Sequence, residues 1–317
     1  MQAEQSAVTT TDGVRLNVET VGPEDAPVTV LLVHGWTCST RSWHNQVEDL
    51  PRILGQDGVR VVTYDHRGHG RSEAGAVGSQ RIEQLADDLA TVLDTVVGDG
   101  PVVYAGHSMG GMTLMALADE RPELFGSRIA AAALVSTTCG QASSGAFGLP
   151  NRLDPAAAVV APRAMNLVGA RIERRAQRAG ISPQRILRSR RALGVAAARL
   201  QRPALRQVVF GKKVDPAEVD LFLEDLAVVP GPSYGGFFEA ILQHDRGHAL
   251  KVLDQLPVEI MHGTRDRLLP PRHANRMAAE LPSARLWMYP GAGHMLMQER
   301  PRDVTHRLAS LARKVRG

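Results

Sequence analysis

Four short, almost uninterrupted apolar segments recur along the first half of the chain, with helix-length stretches between them. They span residues 28–33, 59–64, 101–105 and 129–135. Runs of this kind are typical of strands that are buried on both faces, and helix-length connections are what parallel strands need. This alternation limits the chain to a sheet that is covered by helices on both sides. We therefore predict an α/β architecture with a doubly wound, mostly parallel sheet.

The segments beside these strands carry their own periodic patterns. Apolar residues recur at helical spacing over 81–97, and 109–118 also reads as a helix. Near the N-terminus, Val14–Thr20 alternates apolar and polar residues directly after the turn signal Thr11–Gly13. Alternation predicts a half-exposed edge strand, and the residues before it read as a hairpin turn.

The strand pattern stops after Val135 and returns only at 258–261 and 285–289, ahead of a terminal helix expected from Arg302. Between the two parts lie loop signals and then a long Ala- and Arg-rich helical region. The predicted domains are an α/β core made of residues 1–136 and 251–317 and a helical cap inserted over residues 137–250.

Positive charge is concentrated within this insert. Residues 171–206 contain 11 Arg and a single acid, Glu173, whereas the whole chain has a formal net charge of only +4. Basic helices can bind nucleic acids or anionic membranes. No aromatic residue is interleaved with these arginines, so the stacking surfaces typical of nucleic-acid binding are missing and no such partner is expected. A solvated cap face and association with an anionic surface both stay open, as does the oligomeric state.

Composition excludes several other classes. The 44% hydrophobic and 22% charged shares are those of a globular protein. The longest apolar run, 129–135, is far too short for a membrane helix, and the N-terminus has no secretory pattern, so we expect a cytoplasmic protein. Cys38 and Cys139 form neither a disulfide framework nor a metal-binding pair. No metal or dinucleotide motif is present, so no metal or cofactor is expected.

A serine between glycines directly follows one predicted strand. Gly106-His-Ser-Met-Gly110 fits the pattern Gly-x-Ser-x-Gly, comes after 101–105 and opens the helix that begins at Met109. A strand, a sharp turn and a helix are the setting of a nucleophile elbow. Glycines at positions 106 and 110 let strand and helix pass closely around a strained serine. Ser108 is therefore the candidate nucleophile.

A serine hydroxyl is a weak nucleophile and needs a base that is oriented by an acid. Asp266 and His294 each lie in a loop directly after one of the last two predicted strands. The carboxyl ends of parallel strands meet at one sheet edge, so both loops should lie near Ser108. The loop after 129–135 offers no carboxylate, which favours Asp266 as the acid.

The negative charge that forms on the attacked carbonyl oxygen needs preoriented N–H donors. The backbone N–H of Met109, next to the nucleophile, is one candidate. His34-Gly35-Trp36 ends the strand at 28–33, and we predict the Trp36 N–H as the second donor, with Gly35 allowing the backbone to turn its amides inward.

Together these residues resemble the α/β-hydrolase fold family. His34-Gly35-Trp36 resembles the family's oxyanion segment, Asp65–Ser72 its Asp-x-Arg-Gly-x-Gly-x-Ser turn, and Gly106–Gly111 its elbow. Asp266 and His294 fall where the family keeps its acid and base. The insert falls where the family carries a cap or lid. A serine at the elbow sets aside the dehalogenases and epoxide hydrolases of the family, which use aspartate, and the elbow resembles those of monoacylglycerol lipases, bacterial carboxylesterases and non-haem perhydrolases.

The resemblance and the motifs predict a serine hydrolase that cleaves a carboxylic ester of a small or medium-sized substrate through an acyl-enzyme. An acyltransferase or a thioesterase would use the same triad, since only the acceptor or the leaving group differs. A non-hydrolytic protein that binds a small molecule in the same pocket is the alternative from a different class.

Several polar residues near the motifs are given structural roles instead. Asp65, Arg67 and Ser72 are expected to hold a tight turn through bonds between side chains and backbone. His107 is expected to pack beneath the elbow, and Cys38 to be a small loop residue.

Overall fold

The computed structural model describes residues 3–142, 171, 175 and 200–316, and its centre is an eight-stranded sheet. In chain order the strands are β1 (Glu4–Thr9), β2 (Arg15–Val21), β3 (Thr29–Val33), β4 (Arg60–Tyr64), β5 (Val102–His107), β6 (Ile129–Val135), β7 (Val258–Gly263) and β8 (Arg285–Tyr289). Their spatial order is β1-β2-β4-β3-β5-β6-β7-β8. The pairs that involve β2 are antiparallel and all others are parallel. The predicted mostly parallel sheet is confirmed.

Helices cover both faces of this sheet. They are α1 (His44–Leu54), α2 (Ile82–Val92), α3 (Met109–Glu120), α4 (Pro216–Val228), α5 (Gly231–Gln243), α6 (Leu250–Leu253), α7 (Arg272–Glu280), α8 (Leu296–Glu299) and α9 (Pro301–Arg316). Strand β3 shows why two layers form. Its Leu31 and Val33 pack with α2 and α3, whereas Val30 and Leu32 pack with α1 and α9. Successive side chains of a strand point to opposite faces, so a continuous apolar run needs a helix layer on each side.

The predicted N-terminal hairpin is present. Gly13 N–H donates to the Thr10 carbonyl at 2.9 Å, and Thr10 N–H donates to Val14 O at 2.9 Å. Its first arm, β1, takes the edge of the sheet, so the prediction that 14–20 is the edge strand was wrong. The four consecutive exposed residues from Glu4 to Ala7 give no alternating pattern that would have placed β1 there. The predicted helix at 81–97 is α2 followed by a π-helical turn, Leu93–Val97.

The segment between β6 and β7 leaves and re-enters the core through a narrow neck. Arg246 N–H donates to the Cys139 carbonyl at 2.7 Å, and Gly140 forms an isolated bridge with Asp245. The described part of this segment contains helical residues 200–209 and helices α4 and α5. Most of the predicted basic stretch lies outside the described residues, and the proposed cap boundaries at 137 and 250 stay a prediction. No helix within 3–142 or 200–316 is long and apolar enough to cross a membrane.

Candidate active site

Ser108 lies on a strained turn between β5 and α3. Its backbone has φ 52° and ψ −114°, a region that a residue other than glycine rarely adopts. Neighbouring strands hold it there, since Ser108 N–H donates to Val135 O at 2.9 Å and Thr137 Oγ1 donates to Ser108 O at 2.6 Å. The serine remains 8% exposed, so the turn presents it at the edge of the sheet.

The glycines on either side are required by close contact. A Cβ atom on Gly106 would lie 2.6 Å from the Gly110 backbone, and one on Gly110 would lie 2.5 Å from the Val33 carbonyl oxygen. Real Cβ atoms do not approach that closely. The predicted reason for this glycine pattern, close passage of strand and helix, is therefore confirmed.

The predicted acid and base form a buried hydrogen-bonded pair. His294 Nδ1 lies 2.7 Å from Asp266 Oδ2, and the two residues are 5% and 3% exposed. Asp266 Oδ1 accepts the N–H groups of Leu268 at 3.0 Å and Leu269 at 2.8 Å, which fixes the carboxylate plane. With Nδ1–H donating to Asp266, His294 Nε2 is the nitrogen that can accept a proton.

Two further histidines surround this pair. His107, next to the nucleophile, places Nε2 3.0 Å from the His294 carbonyl oxygen, and burial lowers the pKa of His107 well below its usual value. His262 donates from Nε2 to Leu269 O at 2.7 Å and lies 3.5 Å from Asp266 Oδ2. His107 is therefore neutral beside His294 at neutral pH. The structure thus brings the elbow and the histidine loop together through His107.

The predicted oxyanion segment touches the elbow directly. A Cβ atom on Gly35 would lie 2.7 Å from His107 Nδ1 and 3.0 Å from Ser108 Cβ. Gly35 is therefore needed for close approach, and the positive φ of this segment lies at Thr37, at 61°. Within the described residues, the Trp36 N–H has no backbone or side-chain acceptor. The Met109 N–H begins α3 and so has no acceptor inside that helix.

A buried histidine stiffens this segment. His34 Nδ1 donates to Gly35 O at 2.7 Å, while its Nε2 accepts the N–H of His66 at 2.9 Å. His66 Nε2 in turn contacts His34 O at 3.1 Å. Burial lowers the pKa of His34 to about 4, so the ring is neutral and has one fixed tautomer at neutral pH.

The Asp65–Ser72 turn has the structural role predicted from the sequence. Asp65 accepts backbone N–H groups from Thr40 at 2.8 Å and Arg71 at 2.9 Å, and Ser72 Oγ donates to Asp65 O at 2.6 Å. Because Thr40 follows the oxyanion segment, this carboxylate connects the turn to the site.

Arg67, in the same turn, reaches away from the site into the α2 layer. Its guanidinium makes two bonds to Asp88, at 2.6 and 2.7 Å, and two to Asp12, at 2.8 and 2.9 Å. The turn, α2 and the N-terminal hairpin are thereby tied together.

Helix α5 covers the oxyanion segment with aromatic side chains. The Trp36 ring lies 4.5 Å from the Tyr234 ring and 5.1 Å from the Phe238 ring, and Trp36 Nε1 donates to Tyr234 O at 3.1 Å. All three side chains are half-buried. They form an aromatic wall beside the Trp36 N–H.

Sequence reasoning missed two carboxylates that join the insert to these loops. Asp225 on α4 accepts the Ser39 hydroxyl at 2.6 Å. Glu299 on α8 accepts the N–H groups of Gly211 at 2.8 Å and Gly293 at 3.0 Å, and burial raises its pKa to about 7. Both are acids on helices, a pattern that resembles a solvated helix face, so no signal in the sequence marked them. Among the described residues, no group of three or more His, Cys, Asp or Glu side chains could hold a metal ion.

The mostly parallel eight-stranded sheet and the elbow at its edge are those of an α/β hydrolase, and comparison with known families finds the same class. The chain belongs to the alpha/beta hydrolase fold family, whose model matches residues 28–301.

Individual relatives are similar over part of their length. The bifunctional esterase/perhydrolase DCH of Acinetobacter calcoaceticus is 40% identical over 104 residues, which are 33% of this chain and 35% of the relative. The lipase LipV of Mycobacterium tuberculosis is 36% identical over 148 residues, 46% of this chain and 53% of the relative. The chain thus matches about a third to a half of the length of these relatives.

Among solved structures, a thermophilic esterase from Thermogutta terrifontis superposes with a TM-score of 0.72 over 99% of this chain and 100% of that chain, at 24% identity. At that identity the likeness shows the fold alone.

Proposed function

We propose that this chain is a serine hydrolase that cleaves carboxylic esters through an acyl-enzyme. The observation that carries the proposal is the buried pair of His294 and Asp266, 2.7 Å apart, on loops that meet the strained elbow at Ser108. A base oriented by an acid beside a serine on such a turn is the arrangement that nucleophilic acyl transfer needs. The similarity to an esterase/perhydrolase and to a lipase supports the same reaction class.

In this mechanism His294 Nε2 takes the proton of Ser108 Oγ as the oxygen attacks the ester carbonyl. Asp266 stabilises the resulting imidazolium and keeps the ring in the required orientation. The N–H groups of Trp36 and Met109 donate hydrogen bonds to the carbonyl oxygen as negative charge develops on it. His294 then protonates the leaving alkoxide, and water that is deprotonated by the same ring releases the acid from the acyl-enzyme.

The aromatic wall supports a substrate with an apolar group of small or medium size. The ring of Trp36 is part of the wall, and its backbone N–H is one of the proposed donors. A group attached to the reacting carbonyl would therefore lie against the rings of Trp36, Tyr234 or Phe238. Aromatic side chains that line a partly open site favour apolar ligands. Transfer of the acyl group to an acceptor other than water would share the first half of the reaction, and product analysis distinguishes the two.

Labelling with a fluorophosphonate, together with hydrolysis of p-nitrophenyl esters of increasing chain length, tests the proposal. We expect Ser108→Ala to abolish labelling and to lower kcat by about four orders of magnitude or more. Ser127→Ala, a change at an exposed serine, is the matched control and should keep both activities. Undiminished hydrolysis by a folded Ser108→Ala variant would contradict the proposal, and saturable ester binding without labelling of the wild type would indicate a binding protein.

A further inference from the structure

One buried carboxylate reaches the active-site loops from outside the core. Asp225 lies on α4, in the segment between β6 and β7, and is only 5% exposed. Its Oδ2 accepts the Ser39 hydroxyl at 2.6 Å, and its Oδ1 accepts Arg41 Nη1 at 3.2 Å. Burial of a carboxylate costs free energy even when it is paired, so packing alone does not explain an acid here.

The residue that Asp225 holds lies three positions after the proposed oxyanion donor Trp36. Ser39 caps the short 3-10 turn Thr40–Trp43, and its hydroxyl accepts the N–H of Arg41 at 3.2 Å. Between Trp36 and Ser39 the chain makes a tight turn with Cys38 N–H 3.3 Å from Gly35 O. Because Ser39 and Trp36 belong to the same tight turn, a displacement of Ser39 also moves Trp36.

This loop is fixed from two sides. On the core side, Thr40 N–H donates to Asp65 Oδ1 at 2.8 Å. On the other side, Asp225 is the buried contact, because the remaining acid that binds Arg41, Glu224, is an exposed one. If Asp225 is changed, Ser39 loses its buried acceptor, while Asp65 still holds Thr40 and Tyr234 O still accepts the Trp36 ring N–H.

Helix α4, which carries Asp225, is held on the core by further contacts. Glu218 lies seven residues before Asp225, about two helical turns, and so on the same face. It accepts Gln298 Nε2 at 2.6 Å and lies 3.2 Å from His44 Nε2 at the start of α1. The face of α4 that carries Glu218 and Asp225 is thus docked on the core along two turns.

We propose that Asp225 is a positioning residue for the oxyanion site: through Ser39 it holds the loop so that the Trp36 N–H faces the carbonyl oxygen of the substrate. This inference rests on the proposed function. It assigns to α4, outside the predicted core, a part in stabilising the transition state. Removal of one oxyanion donor costs about a hundredfold or more in kcat, and displacement of a donor costs less than its removal.

The test compares Asp225→Ala and Asp225→Asn with a matched control, Glu224→Gln. The control removes the exposed acid next in sequence, which binds the same Arg41. We expect Asp225→Ala to lower kcat about ten- to hundredfold with KM within about threefold, since substrate binding is left intact. Asp225→Asn keeps an oxygen that can accept the Ser39 hydroxyl and should recover part of the loss. Glu224→Gln should match the wild type.

A second readout separates positioning from a purely structural role. The sulfur of a thionoester accepts hydrogen bonds poorly, so its hydrolysis depends less on oxyanion donors. A displaced Trp36 N–H should lower the rate for the oxygen ester more than for the matched thionoester, whereas a loss of folded protein lowers both equally. If Asp225→Ala does not fold, Ser39→Ala removes the other partner and is expected to show the same selective loss.

The outcomes are distinguishable. Wild-type protein that hydrolyses no ester would overturn the proposed function and this inference with it. Wild-type hydrolysis together with an unchanged kcat in the Asp225 variants and in Ser39→Ala would overturn this inference alone. Equal losses for the oxygen ester and the thionoester would overturn it as well.

Discussion

At Gly35 the oxyanion segment and the nucleophile elbow lie closer together than any side chain allows. We predict that Gly35→Ala lowers kcat about ten- to hundredfold, because the new methyl group must push the loop away from His107 and Ser108. A Cβ atom on Gly100 has no other atom within 4 Å, so Gly100→Ala is the matched control and should leave activity unchanged. Steady-state kinetics on one short ester measures both. Full activity in Gly35→Ala would show that the loop can move without cost.

The proposed catalytic residues were predictable because each follows a strand of a parallel sheet. Ser108, Asp266 and His294 are far apart in sequence, yet the carboxyl ends of β5, β7 and β8 gather them at one edge. The contact between Ser39 and Asp225 joins positions 186 residues apart and follows from no strand register. It depends on how α4 docks, which hydrophobic periodicity does not determine. For the same reason the steric role of Gly35 became visible only in three dimensions.

At the scale of elements, Arg67 ties the N-terminal hairpin and α2 to the turn after β4. The ion pair with Arg67 holds the pKa of Asp12 well below its usual value, whereas burial raises the pKa of Asp88 despite the same partner. We predict that Arg67→Lys lowers the free energy of unfolding by about 2–4 kcal/mol, since one ammonium group cannot make four directed bonds to two carboxylates.

Thermal unfolding of the purified variants measures this effect. Arg52→Lys is the control, because Arg52 makes its ion pairs with Glu48 and Asp49 at the exposed surface. Surface pairs contribute about 0–1 kcal/mol, so the control should unfold close to the wild-type temperature. Equal melting temperatures for Arg67→Lys and the wild type would contradict the prediction.

Elements with continuous apolar runs were predicted well and the others were not. Strands β3, β4 and β6 begin within one residue of the predicted positions, because burial on both faces favours a nearly continuous apolar run. Helix α1 was not predicted. It contains Pro51, has no side-chain hydrogen bond at its N-cap and has no acid in its first turn, so the usual signs of a helix start are missing. Its position is set by packing against α9 and the sheet.

At the scale of the whole molecule, six of the described histidines are buried and have a lowered pKa. Burial lowers the pKa of His34 to about 4 and the pKa values of His69 and His244 to about 3. The remaining histidines whose pKa burial lowers are His66, His107 and His262. In an unfolded chain each would titrate near pKa 6.5.

We predict that the protein loses stability as the pH falls from 7.5 to 5.5. Below about pH 6.5 the unfolded chain binds protons that the folded histidines do not, and each such proton lowers the unfolding free energy by about 1.4 kcal/mol per pH unit. Burial raises the pKa of Asp225 to about 6 and of Glu299 to about 7, and the hydrogen bond with Glu218 raises the pKa of His44. These three groups oppose the effect, but the six buried histidines outnumber them.

Urea unfolding at several pH values measures how the free energy of unfolding changes per pH unit. The variant His69→Gln should reduce this pH dependence by about 1.4 kcal/mol per pH unit, the contribution of one proton, and leave its sign unchanged. A melting temperature and a urea midpoint that stay constant or rise between pH 7.5 and 5.5 would show that these histidines are protonated in the folded protein.

The neck formed by Cys139, Gly140, Asp245 and Arg246 bears on how such a chain can be altered by recombination. Its two strands are hydrogen-bonded to each other, so the ends of everything between Gly140 and Asp245 lie side by side. A hairpin loop of about two to five residues can join ends at this spacing, and so can any other folded segment whose termini are adjacent. We therefore expect the core to accept exchange of this segment as a cassette. A cassette without an acid at the place of Asp225 would keep the proposed triad and lose the anchor of the oxyanion loop, so transplanted segments should be selected for that contact as well as for the shape of the pocket.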